Sequence, residues 1–253
     1  MTGRPSPSDF PAWIKRFPGA DADTADGAVL VFPHAGGAAA AYRTLAGTLA
    51  ERGLNAYILQ YPQRAERLTD PAPDTVEELA AELFAAGPWA QLGPLRLFGH
   101  CLGSLVAFEF ARIAEDRGIA VRGLWASAGQ APSTVAEGPA VPTTDAEMLA
   151  DIVDLGGTDP RLLADEDFVD LLLPAVRADY RAFNRYTCGP EVRIRADIHA
   201  VGGRADHRTD TGHLRRWAGH TGGGFSFRQF DGGHFYLDDH LDAVAHLVSA
   251  DDA

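Results

Sequence analysis

Leu95–Ala107 reads LRLFGHCLGSLVA, and the fold of the 253-residue chain follows from it. Leu95 to Phe98 is a short alternating strand pattern. Gly99-His100-Cys101-Leu102-Gly103 is a turn, and Leu105, Phe108, Ala111 and Ile113 continue as a helix. A strand, a tight G-x-x-x-G turn and a helix make up the setting of a nucleophile elbow. Here cysteine stands at the position where the G-x-S-x-G pattern has serine. Gly99 and Gly103 lack Cβ atoms, so strand and helix can close on each other at the turn. The turn is expected to lift Cys101 clear of the sheet edge. It also leaves the Leu102 N–H, in the first helical turn, free to donate. A buried core cysteine is the plainer reading of Cys101; the strand–turn–helix context weighs against it.

Working outward, apolar or alternating runs fall at Ala28–Phe32, Asn55–Pro62, Gly123–Ala128, Asp197–Gly203 and Phe225–Phe230. Helical patterns separate most of them: Tyr42, Leu45 and Leu49; Val76, Leu79 and Leu83; Leu241, Val244 and Leu247. Asp74 reads as the cap of the second, with Glu77 completing a capping box. This alternation predicts an α/β protein with a mostly parallel central sheet flanked by helices. Residues 1–253 read as a single domain. The pattern breaks between about 131 and 190, where helical spacing replaces strands and Phe168, Leu171, Leu172, Val176, Tyr180 and Phe183 form an apolar stripe with Pro174 as a kink. That segment reads as a helical lid insertion over the strand ends, with an ordinary helical layer of the core as the alternative, and Phe168, Leu172, Val176, Tyr180 and Phe183 as residues of either the substrate tunnel or the core. Residues 1 to about 26 are Pro- and Asp-rich and read as extended, with Trp13, Ile14 and Phe17 as an anchor on the core.

Composition removes several function classes. The formal net charge is −13 and Lys15 is the only lysine, which argues against a nucleic-acid partner. No apolar run reaches the length of a membrane span, and the N-terminus lacks the apolar core of a secretory signal. Two cysteines are too few for a disulfide framework, so a cytoplasmic, reducing setting is expected. No cluster has metal-ligand spacing.

An elbow nucleophile needs a base, an acid that orients the base, and oxyanion donors. Asp206 and His234 each follow a strand end, in the chain order nucleophile, acid, base. Asp231 and Asp210 are the fallback acids, and His100 reads as structural. The oxyanion donors are expected from Leu102 and Ala35, the latter in Pro33–Gly37, PHAGG, at the position of an HGGG-type segment.

Four segments carry a resemblance: Pro33–Gly37 (PHAGG), Pro62–Arg67 (PQRAER), Gly99–Gly103 (GHCLG) with Val106–Glu109 (VAFE), and Asp231–Phe235 (DGGHF). Over about residues 27–248 the sequence resembles the type II thioesterases of nonribosomal peptide and polyketide synthesis. The resemblance implies an α/β-hydrolase fold with a helical lid, and hydrolysis of acyl groups held as thioesters on the phosphopantetheine arm of an acyl or peptidyl carrier protein. It implies no cofactor of the chain's own, since the arm arrives on the partner. The family's serine, aspartate and histidine fall on Cys101, Asp206 and His234. Two departures stand out: Gln63 replaces the glycine of a Pro-Gly-Arg loop, and cysteine replaces the nucleophilic serine.

Sulfur changes the chemistry. A thiol attacking a thioester forms another thioester, so the acyl-enzyme stays activated toward water, a second thiol or an amine. An acyltransferase or aminoacyl shuttle is therefore the alternative reading, and an inactive carrier-binding protein a further one. A serine replaced by cysteine to trap an acyl-enzyme would give the same pattern. Arg64 and Arg67 are candidates for docking an acidic carrier, with Arg204, Arg208, Arg215 and Arg216 as further local positive charge.

Overall fold

The computed structural model describes residues 10–19 and 27–250. A short helix, α1 (Phe10–Trp13), leads into strand β1 (Ile14–Phe17). The central strands are β2 (Ala28–Phe32), β3 (Asn55–Leu59), β4 (Leu95–His100) and β5 (Val121–Ser127), with β6 (Asp197–Gly203) and β7 (Phe225–Phe230) completing the sheet. The order is β1-β3-β2-β4-β5-β6-β7. Every pairing is parallel except that of β1, which runs antiparallel to β3 at one edge. The helices α2 (Arg43–Glu51), α3 (Val76–Ala86), α4 (Leu102–Asp116), α8 (Thr211–Arg216) and α9 (Leu241–Ser249) flank it. This is an α/β-hydrolase fold.

Strands β2, β3 and β4 are buried along their whole length. That is why β2 reads as an unbroken apolar run rather than an alternating one, while β4 is buried as fully although Arg96 interrupts its apolar residues. One apolar layer gathers Phe108, Phe110 and Trp89 on the α3–α4 side. The other gathers Leu45, Leu49 and Val244 on the α2–α9 side.

Between β5 and β6 lie α5 (Asp145–Leu155), α6 (Pro160–Leu163) and α7 (Glu166–Arg185). The start of α7 is fixed by Asp165, whose carboxylate accepts the N–H groups of Asp167 and Phe168. The helix runs on through Pro174. No helix among the described residues is long and apolar enough to cross a membrane.

Two sequence expectations shift. The cap of α3 is Thr75, not Asp74: Thr75 Oγ1 accepts the Glu78 N–H at 3.1 Å, and the Glu78 carboxylate reaches back to the Asp74 N–H. The segment of Ile14 and Phe17 is a sheet edge rather than an unpaired anchor. Its exposed Lys15 and Arg16 suit an edge strand, where charge discourages further pairing. The rest of the segment up to residue 26 lies outside the described residues, apart from 10–19.

Parallel strands place the loops that follow them at one end of the sheet. The register aligns those ends: Phe32 opposite Gly99, His100 opposite Ser127, Gly203 opposite Phe230. The PHAGG loop, the elbow, and the segments carrying Asp206 and His234 therefore emerge side by side.

Candidate active site

Cys101 sits between β4 and α4 with φ 55° and ψ −121°. This backbone region is costly for a residue with a Cβ. The surroundings hold it there. The Cys101 N–H donates to Ser127 O at 2.8 Å, and Cys101 O accepts the Ser104 N–H at 3.0 Å as well as the Ser104 hydroxyl. The two glycines are steric requirements. A Cβ on Gly99 would stand 2.3 Å from Gly103 O, and one on Gly103 would stand 2.1 Å from Phe32 O. Ser104 is buried, with its hydroxyl engaged on the elbow backbone.

His234 and Asp206 come together below the thiol. His234 Nδ1 lies 2.9 Å from Asp206 Oδ2. The other carboxylate oxygen, Oδ1, accepts the Arg208 N–H at 2.8 Å and the Thr209 N–H at 3.1 Å. The fallback acids are elsewhere: Asp210 caps α8 through the His213 N–H, and Asp231 pairs with Arg204 on the surface.

The charges of Cys101 and His234 are coupled. Burial pushes the Cys101 thiol up, but the charge and contact of His234, the Leu102 N–H and the Arg208 guanidinium together bring it below its ordinary value. Burial pushes His234 down, but the Cys101 sulfur and Asp206 outweigh it and lift the imidazole to about 10. Both shifts favour a thiolate–imidazolium pair at neutral pH. His234 Nε2 is buried, and the Cys101 sulfur raises the imidazole both by its charge and by its contact with the ring.

Two further histidines crowd the site, and both are held neutral. Burial, then the nearby His234 and Arg64, take His34 down to about 3. Burial and the same His234 also lower His100 well below the usual imidazole range. His34 Nδ1 meets Tyr42 Oη at 2.7 Å, and His100 Nδ1 meets Ser127 Oγ, which meets Tyr236 Oη. Phe235 packs against all three histidine rings. His100 thus fills the structural place expected of it.

A cavity of about 480 Å³ opens over Cys101, lined mostly by apolar side chains. Phe168, Leu172, Val176, Tyr180 and Phe183 of α7 all line it, as do Ala35 and Leu102. In the PHAGG loop, the His34 N–H donates to Tyr42 Oη, the Gly36 N–H to Asp179 and the Gly37 N–H to His34 O.

The docking expectation for Arg64 and Arg67 is corrected. Both side chains turn inward and are 5% and 7% exposed. Arg64 Nη2 lies 2.6 Å from Asp179 Oδ2, and Arg67 bonds Asp70 and Gln60 O while stacking on Trp13. A buried guanidinium needs such partners, and none of its charge is left for a surface partner. Of the other arginines, Arg204 and Arg216 pair with Asp231 and Glu137, and Arg215 covers the Phe227 ring.

Arg208, local positive charge for a carrier in the sequence reading, lines the cavity and pairs with Asp151 of α5, which also accepts the Tyr180 hydroxyl. The sequence pattern assigns Asp179 no role. Its signal was a carboxylate in the apolar stripe of α7, at the spacing Leu172, Val176, Asp179.

Comparison with known proteins gives the family. The thioesterase domain family matches residues 28–251. The chain belongs to the thioesterase family. Over 98% of its length the thioesterase is 61% identical to part of the phenyloxazoline synthase MbtB of Mycobacterium tuberculosis, and it spans only 17% of that relative's length. It is 38% identical to the thioesterase PikA5 of Streptomyces venezuelae, with 98% of this chain and 88% of PikA5 covered. Among solved structures it is similar to the type II thioesterase BorB from the borrelidin biosynthetic cluster. The two are 36% identical with a TM-score of 0.79, over 94% of this chain and 96% of that one.

Proposed function

We propose that this thioesterase hydrolyses acyl groups carried as thioesters on the phosphopantetheine arm of a carrier protein in nonribosomal peptide or polyketide biosynthesis. Cys101 is the nucleophile in place of the family's serine, His234 the base and Asp206 the residue that orients it. The observation that carries the reading is the buried Asp206–His234 pair coupled to a lowered Cys101 thiol at the floor of an apolar cavity. The likeness to a type II thioesterase of the yersiniabactin NRPS/PKS biosynthetic pathway, 26% identical with a TM-score of 0.79, supports the substrate class.

The residues imply two half-reactions. The Cys101 thiolate adds to the thioester carbonyl, and the carbonyl oxygen becomes an oxyanion facing the Ala35 and Leu102 N–H groups. The intermediate collapses with loss of the phosphopantetheine sulfur, which takes its proton from the His234 imidazolium. His234, now neutral, takes a proton from water as the water attacks the Cys101 thioester. Collapse releases the carboxylic acid and restores the thiolate–imidazolium pair. Asp206 keeps the His234 Nδ1–H in place through both steps. The α5–α7 segment acts as the lid that covers the acyl chain.

The sulfur nucleophile favours one second reading, transfer of the acyl group to another carrier thiol or an amine. Intact-protein mass spectrometry with an acyl-loaded carrier, with and without an unloaded carrier and amines, separates the two; Cys101→Ala is the control. The expected result is an acyl adduct on Cys101 that leaves as free acid at a rate independent of the acceptor. An adduct that persists until an acceptor arrives, and then moves to it, overturns hydrolysis in favour of transfer. Carrier binding with neither adduct nor turnover overturns both.

A further inference from the structure

The PQRAER segment is not used by the chemistry above, yet its Arg64 ends in the wall of the active-site cavity. Arg64 holds Asp179 of α7, and both side chains are about 5% exposed (5% and 6%). The same Asp179 oxygen accepts the Gly36 N–H at 2.7 Å. Gly36 follows Ala35, the loop donor assigned to the oxyanion.

Helix α7 rests directly on this loop. A Cβ at Gly36 would stand 2.6 Å from Val176 Cγ2 and 3.4 Å from Leu172 Cδ1. Leu172, Val176 and Asp179 share one face of the helix, at spacings of four and three. Two of them pack on the glycine, and the third takes its N–H. On the other side of Ala35, the His34 N–H is held by Tyr42 Oη at 3.2 Å. The two peptide groups that flank the one carrying the Ala35 N–H are therefore each fixed by a side chain from outside the loop. Tyr42 comes from the body of the fold and Asp179 from the lid.

We propose that Asp179 is a positioning residue for the reaction: clamped by Arg64, it sets the oxyanion loop through the Gly36 N–H, so that seating α7 over the acyl chain and completing the oxyanion hole are one event. The proposal rests on the functional reading above, in which the Ala35 N–H meets the oxyanion. Removing Asp179 alone would strand a buried guanidinium and threaten folding, so the test uses two charge-neutral pairs. Arg64→Leu with Asp179→Asn keeps an acceptor for the Gly36 N–H. Arg64→Leu with Asp179→Leu does not. The two variants share the lost ion pair and differ in that acceptor.

Two reactions of Cys101 are then compared. Acylation by a thioester, read as the burst of released thiol, passes through an oxyanion. Alkylation by iodoacetamide, followed at the Cys101 peptide by mass spectrometry, needs the thiolate and no oxyanion hole. The expected result is acylation about tenfold or more slower in the Leu pair than in the Asn pair. Alkylation rates and their pH profiles stay within about twofold. Equal acylation by the two pairs overturns the proposal. So does a parallel fall of alkylation with acylation, which is the mark of a disturbed fold. A wild-type protein that takes no acyl group at all sinks the functional reading, and this inference with it, before any variant is compared.

Discussion

His234 Nδ1 lies 2.9 Å from Asp206 Oδ2, and neither side chain is reached by solvent. The second Asp206 oxygen is held by two backbone N–H groups, so the carboxylate cannot rotate without losing both bonds. This makes Asp206→Asn a clean test. The asparagine carbonyl stays on the Arg208 and Thr209 N–H groups, and its NH2 then faces His234 Nδ1. The imidazole must accept there, which places its proton on Nε2, the wrong atom for a neutral base. We expect kcat to fall on the order of a hundredfold or more with a near-unchanged melting temperature. Steady-state hydrolysis of a thioester checks this; a fall of less than about threefold would show that His234 is oriented by something else.

The lowered Cys101 thiol gives a pH prediction with a definite sign. Burial is the largest single influence and acts upward; His234 is what overcomes it. A depressed thiol keeps its reactivity as pH falls from alkaline values and loses it only below the ordinary thiol range. In wild type, the midpoint of Cys101 alkylation should therefore lie below that of an ordinary thiol. In His234→Gln the burial is opposed only by the Leu102 N–H and Arg208, and the midpoint should rise. Alkylation at pH 7 should then fall about tenfold or more. Arg208→Met should move the midpoint in the same direction by less, since Arg208 acts on the sulfur as the last of the cited influences. A His234→Gln profile that overlays wild type would refute the ion pair.

What was legible in the sequence were features carried by local pattern or by chain order. Gly99 and Gly103 announced the close strand–helix approach, and the buried strand β2 announced itself as an apolar run. Partners distant in sequence were not legible. Arg64 reads as surface charge until α7 brings Asp179, 115 positions away, against it. Strand β1 is four residues long with two charges, too short to show a period of two. The cap of α3 slipped by one because Asp74 and Thr75 are both good caps, and only the hydrogen bond of the Glu78 N–H chooses between them.

Gln63, the departure from the Pro-Gly-Arg pattern, has φ 63°. A glycine adopts that conformation freely, whereas a residue with a Cβ pays about 1–2 kcal/mol for it. Part of the gain from glycine is offset by the extra freedom of its unfolded chain. Gln63→Gly should thus melt at or slightly above the wild-type temperature, while Gln63→Val, branched at Cβ, should melt several degrees lower. Calorimetry on the two variants checks this, and a lower melting temperature for the glycine variant than for the valine one would show that Gln63 is held by more than its backbone. At the elbow the sign reverses: Gly103→Ala would drive a Cβ into Phe32 O and should lose folded protein outright.

The α7 stripe faces the cavity, so it should decide which acyl chains enter. Phe168 lines the cavity and is not among the side chains packed on Gly36. Phe168→Trp adds bulk in that wall without touching Cys101, His234 or Asp206. A short acyl group needs little of the cavity and a long one most of it. Each methylene buried in such a pocket is worth about 1–3 kcal/mol to the transition state, so exclusion of a few of them is readily measured. We expect kcat/KM for an octanoyl thioester to fall about tenfold or more, and that for an acetyl thioester to change less than about threefold. Cys101 alkylation should be unaffected, which separates a filled cavity from a damaged nucleophile. Equal losses for both substrates would mean that the acyl chain takes another route out of the site, and that the stripe of Phe168, Leu172, Val176, Tyr180 and Phe183 serves packing alone.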